Sequence, residues 1–342
     1  MGFFVVTLGD PKGIGIEAIS YLLENYPLRS SSVVIIGSRW QWDLQRKILG
    51  YHSFPFVESE LDGTSGVRFH DIDDGFCHKD PNNLTTIDRG SLSVLALEAV
   101  EFFSIYDRLA VLTAPIDKAC CREAGFRFSG QTEFFSNMWG GEALMVLAGP
   151  RLRVGLVTNH LALKDVPASL SIEKVRIKIL KFMSYLRGVT GRNSIKVGVT
   201  GLNPHASDCG MFGDEEEKII APAILGMTEM EKGEGEIFGP IPADTAFFRG
   251  YQGELDGILA MYHDQGLAAL KTVHFYDAVN ISYGLRHLRV SPDHGPAQDL
   301  FLSGQANLDS FTGAWSLSKS YLERENWQVL SSAEPGNIIC RD

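Results

Sequence analysis

At 342 residues the chain is too long for one ordinary hydrophobic core, and about 150 residues per domain predicts two packed units with a cleft between them. Hydrophobic residues at 44% and charged residues at 21% exclude a disordered, collagenous or coiled-coil chain. The net charge of -11 excludes a broad nucleic-acid surface, because backbone affinity comes from many Lys and Arg side chains releasing counterions, so an anionic ligand has to meet a local cation cluster.

The first predicted strand, Phe3 to Leu8, follows a start that has neither the basic region nor the apolar length of a secretory signal. Gly9-Asp10-Pro11-Lys12-Gly13-Ile14-Gly15 comes next and opens a helix over Ile16 to Tyr26. Its glycines either let backbone N-H groups approach an anion or merely allow a tight strand-to-helix turn. A strand over Ser32 to Gly37 is followed by residues 50 to 90, which show no period and read as a loop or variable edge. The spacing then predicts a helix over Leu92 to Phe103, a strand over Leu109 to Thr113, a strand over Val154 to Thr158 and a helix over Ile172 to Leu186. A strand over Ile195 to Thr200, a helix over Glu215 to Leu225 and a strand over Gly257 to Met261 complete the pattern, with 230 to 243 read as a Gly/Pro-rich loop. The alternation predicts two three-layer α/β/α domains with mostly parallel sheets: 1-118 with 285-342, and 119-284. No apolar run approaches the roughly 20 residues of a membrane helix. The five cysteines lack C-x-x-C or disulfide spacing and read as reduced thiols in a cytoplasmic protein.

Parallel sheets bind ligands beyond the carboxyl ends of their strands. His160, His205 and His263 each fall just after a predicted strand and together are candidate ligands for one divalent metal with an open coordination position, although any one alone is more often a structural histidine. Lys271, Asn280 and Arg289 combine a point charge, an amide and a planar guanidinium, a set suited to a phosphate and a carboxylate. Gln131 and Thr132, after Gly130, offer neutral hydrogen bonds or a helix cap. Ser291 to Ala297 forms a loop opening onto a helix, a second place for a phosphate or adenosine.

Taken together, these motifs resemble the 4-hydroxythreonine-4-phosphate dehydrogenase family of vitamin B6 synthesis, similar in fold to isocitrate and isopropylmalate dehydrogenases. The resemblance runs through the 9-17 segment, Thr113 to Lys118, Gly130 to Glu133, Asn203-Pro204-His205, Pro242 to Thr245, Ala260 to Leu267 and Asp293-His294-Gly295. It implies NAD- or NADP-dependent oxidation and decarboxylation of 4-phosphooxy-L-threonine, with a divalent ion (Zn, Mg, Co or Mn) held by His160, His205 and His263 from both subunits of a homodimer. Thr132, Lys271, Asn280 and Arg289 then hold the substrate, with Gln131 beside them. Asp293, His294 and Gly295 meet the adenosine part of the cofactor, and Asp244, Asp264 and Lys271 are the catalytic candidates. Gln131 stands where the family usually has a histidine, Val290 replaces a usual Thr, and Pro296 replaces a small hydroxyl residue. Three other readings remain: a dehydrogenase of threonate or erythronate 4-phosphate, a metal-dependent phosphate hydrolase, and a non-catalytic homologue. The partners expected are the small phosphorylated substrate and a second copy, with no nucleic acid and no membrane.

Overall fold

The computed structural model describes residues 2–26, 32–58, 65–73, 78–327 and 329. Its strands in chain order are β1 (Phe3–Thr7), β2 (Ser32–Gly37), β3 (Gly66–Asp71), β4 (Leu109–Thr113), β5 (Leu144–Ala148), β6 (Arg153–Leu156), β7 (Lys196–Thr200), β8 (Glu236–Ile241), β9 (Gly257–Ala260), β10 (Val279–Tyr283) and β11 (Leu288–Pro292). The chain divides into two compact units, Met1–Gly140 with His287–Glu325, and Gly141–Arg286 with the short stretch around Trp327. Residues 119–140, grouped with the central segment in the sequence reading, pack in the first unit. Trp139 Nε1 donates to Ser104 Oγ at 2.8 Å, and its ring meets His287 edge-on.

In the first unit the strand order is β3-β2-β1-β4-β11, all parallel. β1, β2, β4 and β11 are buried along their whole length, as expected of β-branched runs covered on both faces. The helix Asp309–Glu323 covers one face by setting Trp315 against Phe4, ring centroids 4.8 Å apart. In the second unit the order is β10-β5-β6-β9-β7-β8. β5 runs antiparallel to both neighbours, and β6, β9, β7 and β8 are parallel. A side chain at Gly257 would meet Phe182 of the helix Ile172–Thr190 at 2.6 Å. The next residue, Ile258, instead packs on Gly250 of the helix Ala243–Gln252. Since consecutive strand residues face opposite ways, helices cover both faces and the unit has three layers.

Two segments read as loops are structured. Residues 50 to 90 contain β3 and the amino-terminal part of the helix Thr86–Glu98, and 230 to 243 contain β8. Both strands are edges of their units, where one side of the ladder needs no partner, so charged residues in β3 and Pro240 in β8 are tolerated. No helix among the described residues is long and apolar enough to cross a membrane.

The 9–15 segment shows why its glycines are there. Gly9 has φ +70, and a Cβ there would lie 2.4 Å from the Pro115 carbonyl oxygen. The Lys12 N-H donates to Asp10 Oδ1, that of Gly13 to the Asp10 carbonyl and that of Ile14 to the Pro296 carbonyl, so these donors serve the turn itself. Gly9→Ala is expected to cost about 3 kcal/mol, combining a left-handed backbone with an overpacked contact, and to be read as a lowered denaturant midpoint at unchanged slope.

Candidate functional site

In the second unit, β6, β9 and β7 are adjacent and parallel, so their carboxyl ends open at one edge of the sheet. Leu156 pairs with Ala260, and the Val157 and Thr158 N-H groups donate to the carbonyls of Ala260 and Met261. That pairing carries His160 and His263 outward together, with ring centroids 5.7 Å apart. His263 opens the helix His263–Val273, and its Nδ1 lies 2.7 Å from Asp264 Oδ1. A carboxylate accepting from Nδ1-H leaves the Nε2 lone pair available to a metal. Sequence reasoning gave Gln265 no role, yet it joins the strand ends. Its Oε1 accepts from Met261 N-H and Thr200 Oγ1, and its Nε2 donates to the Gly201 carbonyl.

His205 goes elsewhere. After β7 the chain enters a run in which His205, Ala206, Ser207, Asp208 and Cys209 all have positive φ, between 45 and 76. Such a run of non-glycine residues is strained and needs outside support. Glu216, 3% exposed, supplies it by accepting the Leu202 and Asn203 N-H groups at 2.7 and 2.8 Å and Asn203 Nδ2 at 3.0 Å. The exposed His205 ring lies near Phe212. No group of three His, Cys, Asp or Glu side chains able to hold a metal forms among the described residues, so one chain brings together His160 and His263 but not His205.

Of the remaining candidates in this unit, Asp264 is 88% exposed and Lys271 lies seven residues later on the same helix, its Nζ 5.5 Å from the Phe275 ring centroid. Asp244 is exposed in the first turn of Ala243–Gln252. Asn280 sits on β10, and its Oδ1 is buried without a hydrogen-bond partner among the described residues, as is Oδ1 of Asn159 beside His160. Buried polar atoms left open in a native fold call for an explanation, and a ligand donor is one.

In the first unit, Arg289 pairs in register with Val111 on β4, so its side chain runs along the face that also carries Thr113. Its Nε and Nη2 donate to Thr113 Oγ1 at 3.0 and 2.7 Å, and Nη2 also donates to Gln131 Oε1 at 2.9 Å. Gln131 opens the helix Gln131–Trp139, and its Nε2 donates to the Ala114 carbonyl at 3.2 Å; Thr132 follows in the same turn, buried. The guanidinium is 4% exposed and its hydrogen bonds go to neutral oxygens. Burial pushes its pKa down to about 9, against a smaller opposing pull from Glu133. A cation buried against neutral dipoles fits a site that an anionic ligand completes.

β11 leads into Asp293, His294 and Gly295. The Asp293 N-H donates to Ser310 Oγ at 3.0 Å, and the His294 ring lies 5.6 Å from that of Phe311. This loop is tied to the 9–15 turn by a network that sequence spacing does not show. Arg89 bonds both carboxylate oxygens of Asp10 and reaches Asp117, and Gln298 Nε2 donates to Asp117 Oδ2 at 2.7 Å. Asp117 also caps the helix Lys118–Glu123 through the Ala119 and Cys120 N-H groups. A polar cavity of about 570 Å³ is lined by Glu17, Tyr21, Tyr51, Asn307 and Asp309 among others, and it adjoins the loop through Ser310, which accepts the Asp293 N-H.

Comparison with known proteins gives a concordant picture. The family described as pyridoxal phosphate biosynthetic protein PdxA matches residues 76–318. The chain is 36% identical over 317 residues to a 4-hydroxythreonine-4-phosphate dehydrogenase of Desulfosudis oleivorans, covering 90% of this chain and 93% of that one. It is 34% identical over 318 residues to a D-threonate 4-phosphate dehydrogenase of Pectobacterium atrosepticum, covering 89% and 94%. The crystal structure of 4-hydroxythreonine-4-phosphate dehydrogenase from Klebsiella pneumoniae superposes with a TM-score of 0.76 at 30% identity, covering 94% and 98%. The chain therefore belongs to the PdxA family and is, by that membership, an oxidoreductase acting on a secondary alcohol.

Proposed function

We propose that this protein is a cytoplasmic NAD- or NADP-dependent, divalent-metal-dependent dehydrogenase that oxidises and decarboxylates 4-phosphooxy-L-threonine in pyridoxal 5'-phosphate synthesis. The observation that carries the substrate class is Arg289, a buried guanidinium whose hydrogen bonds go to neutral Thr113 and Gln131 and which an anionic substrate would complete. Relatives that share most of the chain's length bear the name of this activity.

The metal fits in part. His160 and His263 form a pair of adjacent imidazoles, with Asp264 orienting one of them, and two donors are fewer than a catalytic site uses. We assign the third position to His205 of a second copy, which makes the active species a homodimer with a shared site. The ion, when bound, supplies Lewis acidity to the substrate alcohol, and the nicotinamide supplies the hydride acceptor. The chain's own residues do the rest. In the first unit Arg289 neutralises an anionic group of the substrate, Thr132 offers a hydroxyl and Gln131 keeps the guanidinium fork aligned. In the second unit Lys271 and Asn280 Oδ1 are the groups assigned to the substrate. Asp244 and Asp264 are the groups available to take the hydroxyl proton. The 293–295 loop and the Tyr-lined cavity beside it suit the adenosine end of the cofactor.

A second reading is favoured by Gln131 itself. A neutral amide fixed between Arg289 and the Ala114 carbonyl replaces a titrating ring next to the substrate, and relatives named for D-threonate 4-phosphate are nearly as similar. Reduction of NAD and NADP at 340 nm with 4-phosphooxy-L-threonine, D-threonate 4-phosphate and erythronate 4-phosphate separates the two. Absence of reduction with all three, after reloading with Zn, Mg, Mn or Co, would sink both, and release of inorganic phosphate without cofactor would point to hydrolysis. Sharing of the metal across subunits has its own test. His160→Ala and His205→Ala homodimers are expected to be inactive and metal-free, and mixing them should restore part of the activity, because one site of each heterodimer keeps all three rings. If mixing restores nothing while subunits exchange, the ligand set is wrong.

A further inference from the structure

A second cavity, of about 810 Å³, lies wholly within the first unit, between the end of β3, the carboxyl end of the helix Thr86–Glu98 and the helix Gln131–Trp139. Its walls are apolar and largely aromatic: Leu95, Phe102, Phe128, Phe134 and Met138. Phe128 and Phe134 meet edge to face at 5.4 Å, and Phe102 stands 70% exposed at the mouth. The polar lining is acidic. Glu98 and Glu101 are three residues apart where the helix Thr86–Glu98 passes into the turn Ala99–Phe103, so their carboxylates add to the negative end of the helix dipole. Neither carboxylate takes part in a hydrogen bond or ion pair among the described residues, and Asp71 adds a third negative charge. No Lys or Arg lines the cavity among the described residues. His70, also in the lining, is held below its ordinary pKa by burial and packs edge-on to Phe103, so it adds no positive charge at neutral pH.

We propose that this cavity is a ligand site for a small organic ammonium ion with an apolar body. An anion would face three carboxylates with no counter-charge, and a bare metal would find no group of three suitable donors among the described residues. An alkyl or aryl ammonium satisfies both halves of the lining at once, its charge meeting Glu98 and Glu101 and its body the phenylalanine faces, where cation–π attraction adds to burial. The site also has a route to the reaction. Phe134, Asn137 and Met138 line it, and the same nine-residue helix begins with Gln131, the side chain that holds Arg289. Occupancy therefore braces the helix that presents Gln131, making the ligand a regulator of substrate affinity. The binding stands apart from the proposed dehydrogenase reaction, and only this coupling rests on it.

Calorimetry on the intact protein without substrate tests the binding, using 2-phenylethylammonium against its near-isosteric anion 3-phenylpropanoate. The ammonium should bind and the carboxylate should not. The surface double variant Glu98→Gln/Glu101→Gln, and separately Phe102→Ala, should each weaken the ammonium by roughly tenfold, the equivalent of about 1.4 kcal/mol. Equal binding of the two probes, no binding of the ammonium, or unchanged affinity in both variants would overturn the site. The coupling is read as a change in KM for the phosphorylated substrate with the probe present, lost in Glu98→Gln/Glu101→Gln; an unchanged KM at probe saturation would overturn the regulatory role. If no substrate is turned over at all, the dehydrogenase assignment fails while the calorimetric result still decides the cavity.

Discussion

Arg289→Met is expected to lower kcat/KM by at least about 10³-fold while leaving the melting temperature equal to or above that of the parent protein. On the proposed function, the loss follows from removing the planar cation assigned to the anionic substrate, where two charge-assisted bonds would each be worth roughly 2 kcal/mol. The retained stability follows from where the side chain sits. It is 4% exposed and bonded to neutral oxygens, so the folded state carries a desolvated charge that methionine, of similar volume, does not. The pH dependence has a definite sign. Burial brings the guanidinium down to about 9, so the folded protein holds its proton less tightly than the unfolded chain. The penalty is complete below pH 9 and lifts as pH rises from there toward the ordinary arginine range, so any melting-temperature advantage of the methionine variant should shrink above pH 9. Arg289→Lys should not rescue, because an ammonium cannot reach Thr113 and Gln131 in the fork geometry that aligns the remaining N-H groups. A variant with near-normal kcat/KM would remove Arg289 from the site.

His263→Ala should abolish stoichiometric metal and lower kcat by on the order of 10³-fold or more, with the fold intact by circular dichroism. The side chain is partly exposed at the first position of its helix, and its bond to Asp264 is a surface interaction, so little stability is at stake. Asp264→Asn gives the graded control. It leaves both imidazoles in place but weakens the preference for Nδ1-H, so metal affinity should fall by about 10- to 100-fold rather than vanish. Unchanged metal content in His263→Ala, measured per subunit after dialysis, would contradict the ligand assignment.

Much of the fold was legible because buried parallel strands announce themselves. Phe3–Thr7 and Leu109–Thr113 are continuous apolar runs and are buried along their length. β3 and β8 were not legible, since an edge strand tolerates charge, glycine and proline that a periodicity search reads as loop. β5 and β10 form an antiparallel pair that a β, α, β, α pattern does not anticipate. At the site, His160 and His263 could be placed together because each follows a strand and those strands are neighbours. His205 also follows a strand, but its left-handed run turns the chain away, and backbone conformations that oppose local preference leave no trace in spacing. The partner of Arg289, Thr113, lies 176 residues away and meets it only through the pairing of β4 with β11. The Asp10, Arg89, Asp117 and Gln298 network is equally long-range.

The loop from His205 to Cys209 has a consequence for anyone who would transplant it. Each residue occupies a conformational well its side chain disfavours, and the sum, on the order of several kcal/mol, is offset by the bonds of Ser207 to Gly210 and Gly213 and by a carboxylate eleven residues beyond His205 that pins the Leu202 and Asn203 N-H groups leading into the run. Copied into another scaffold, or excised as a peptide, the segment would relax to a right-handed or extended shape and aim its imidazole in a different direction. The direction in which that ring points is thus a property of the whole unit that encloses Glu216, and not of the five letters that spell the turn.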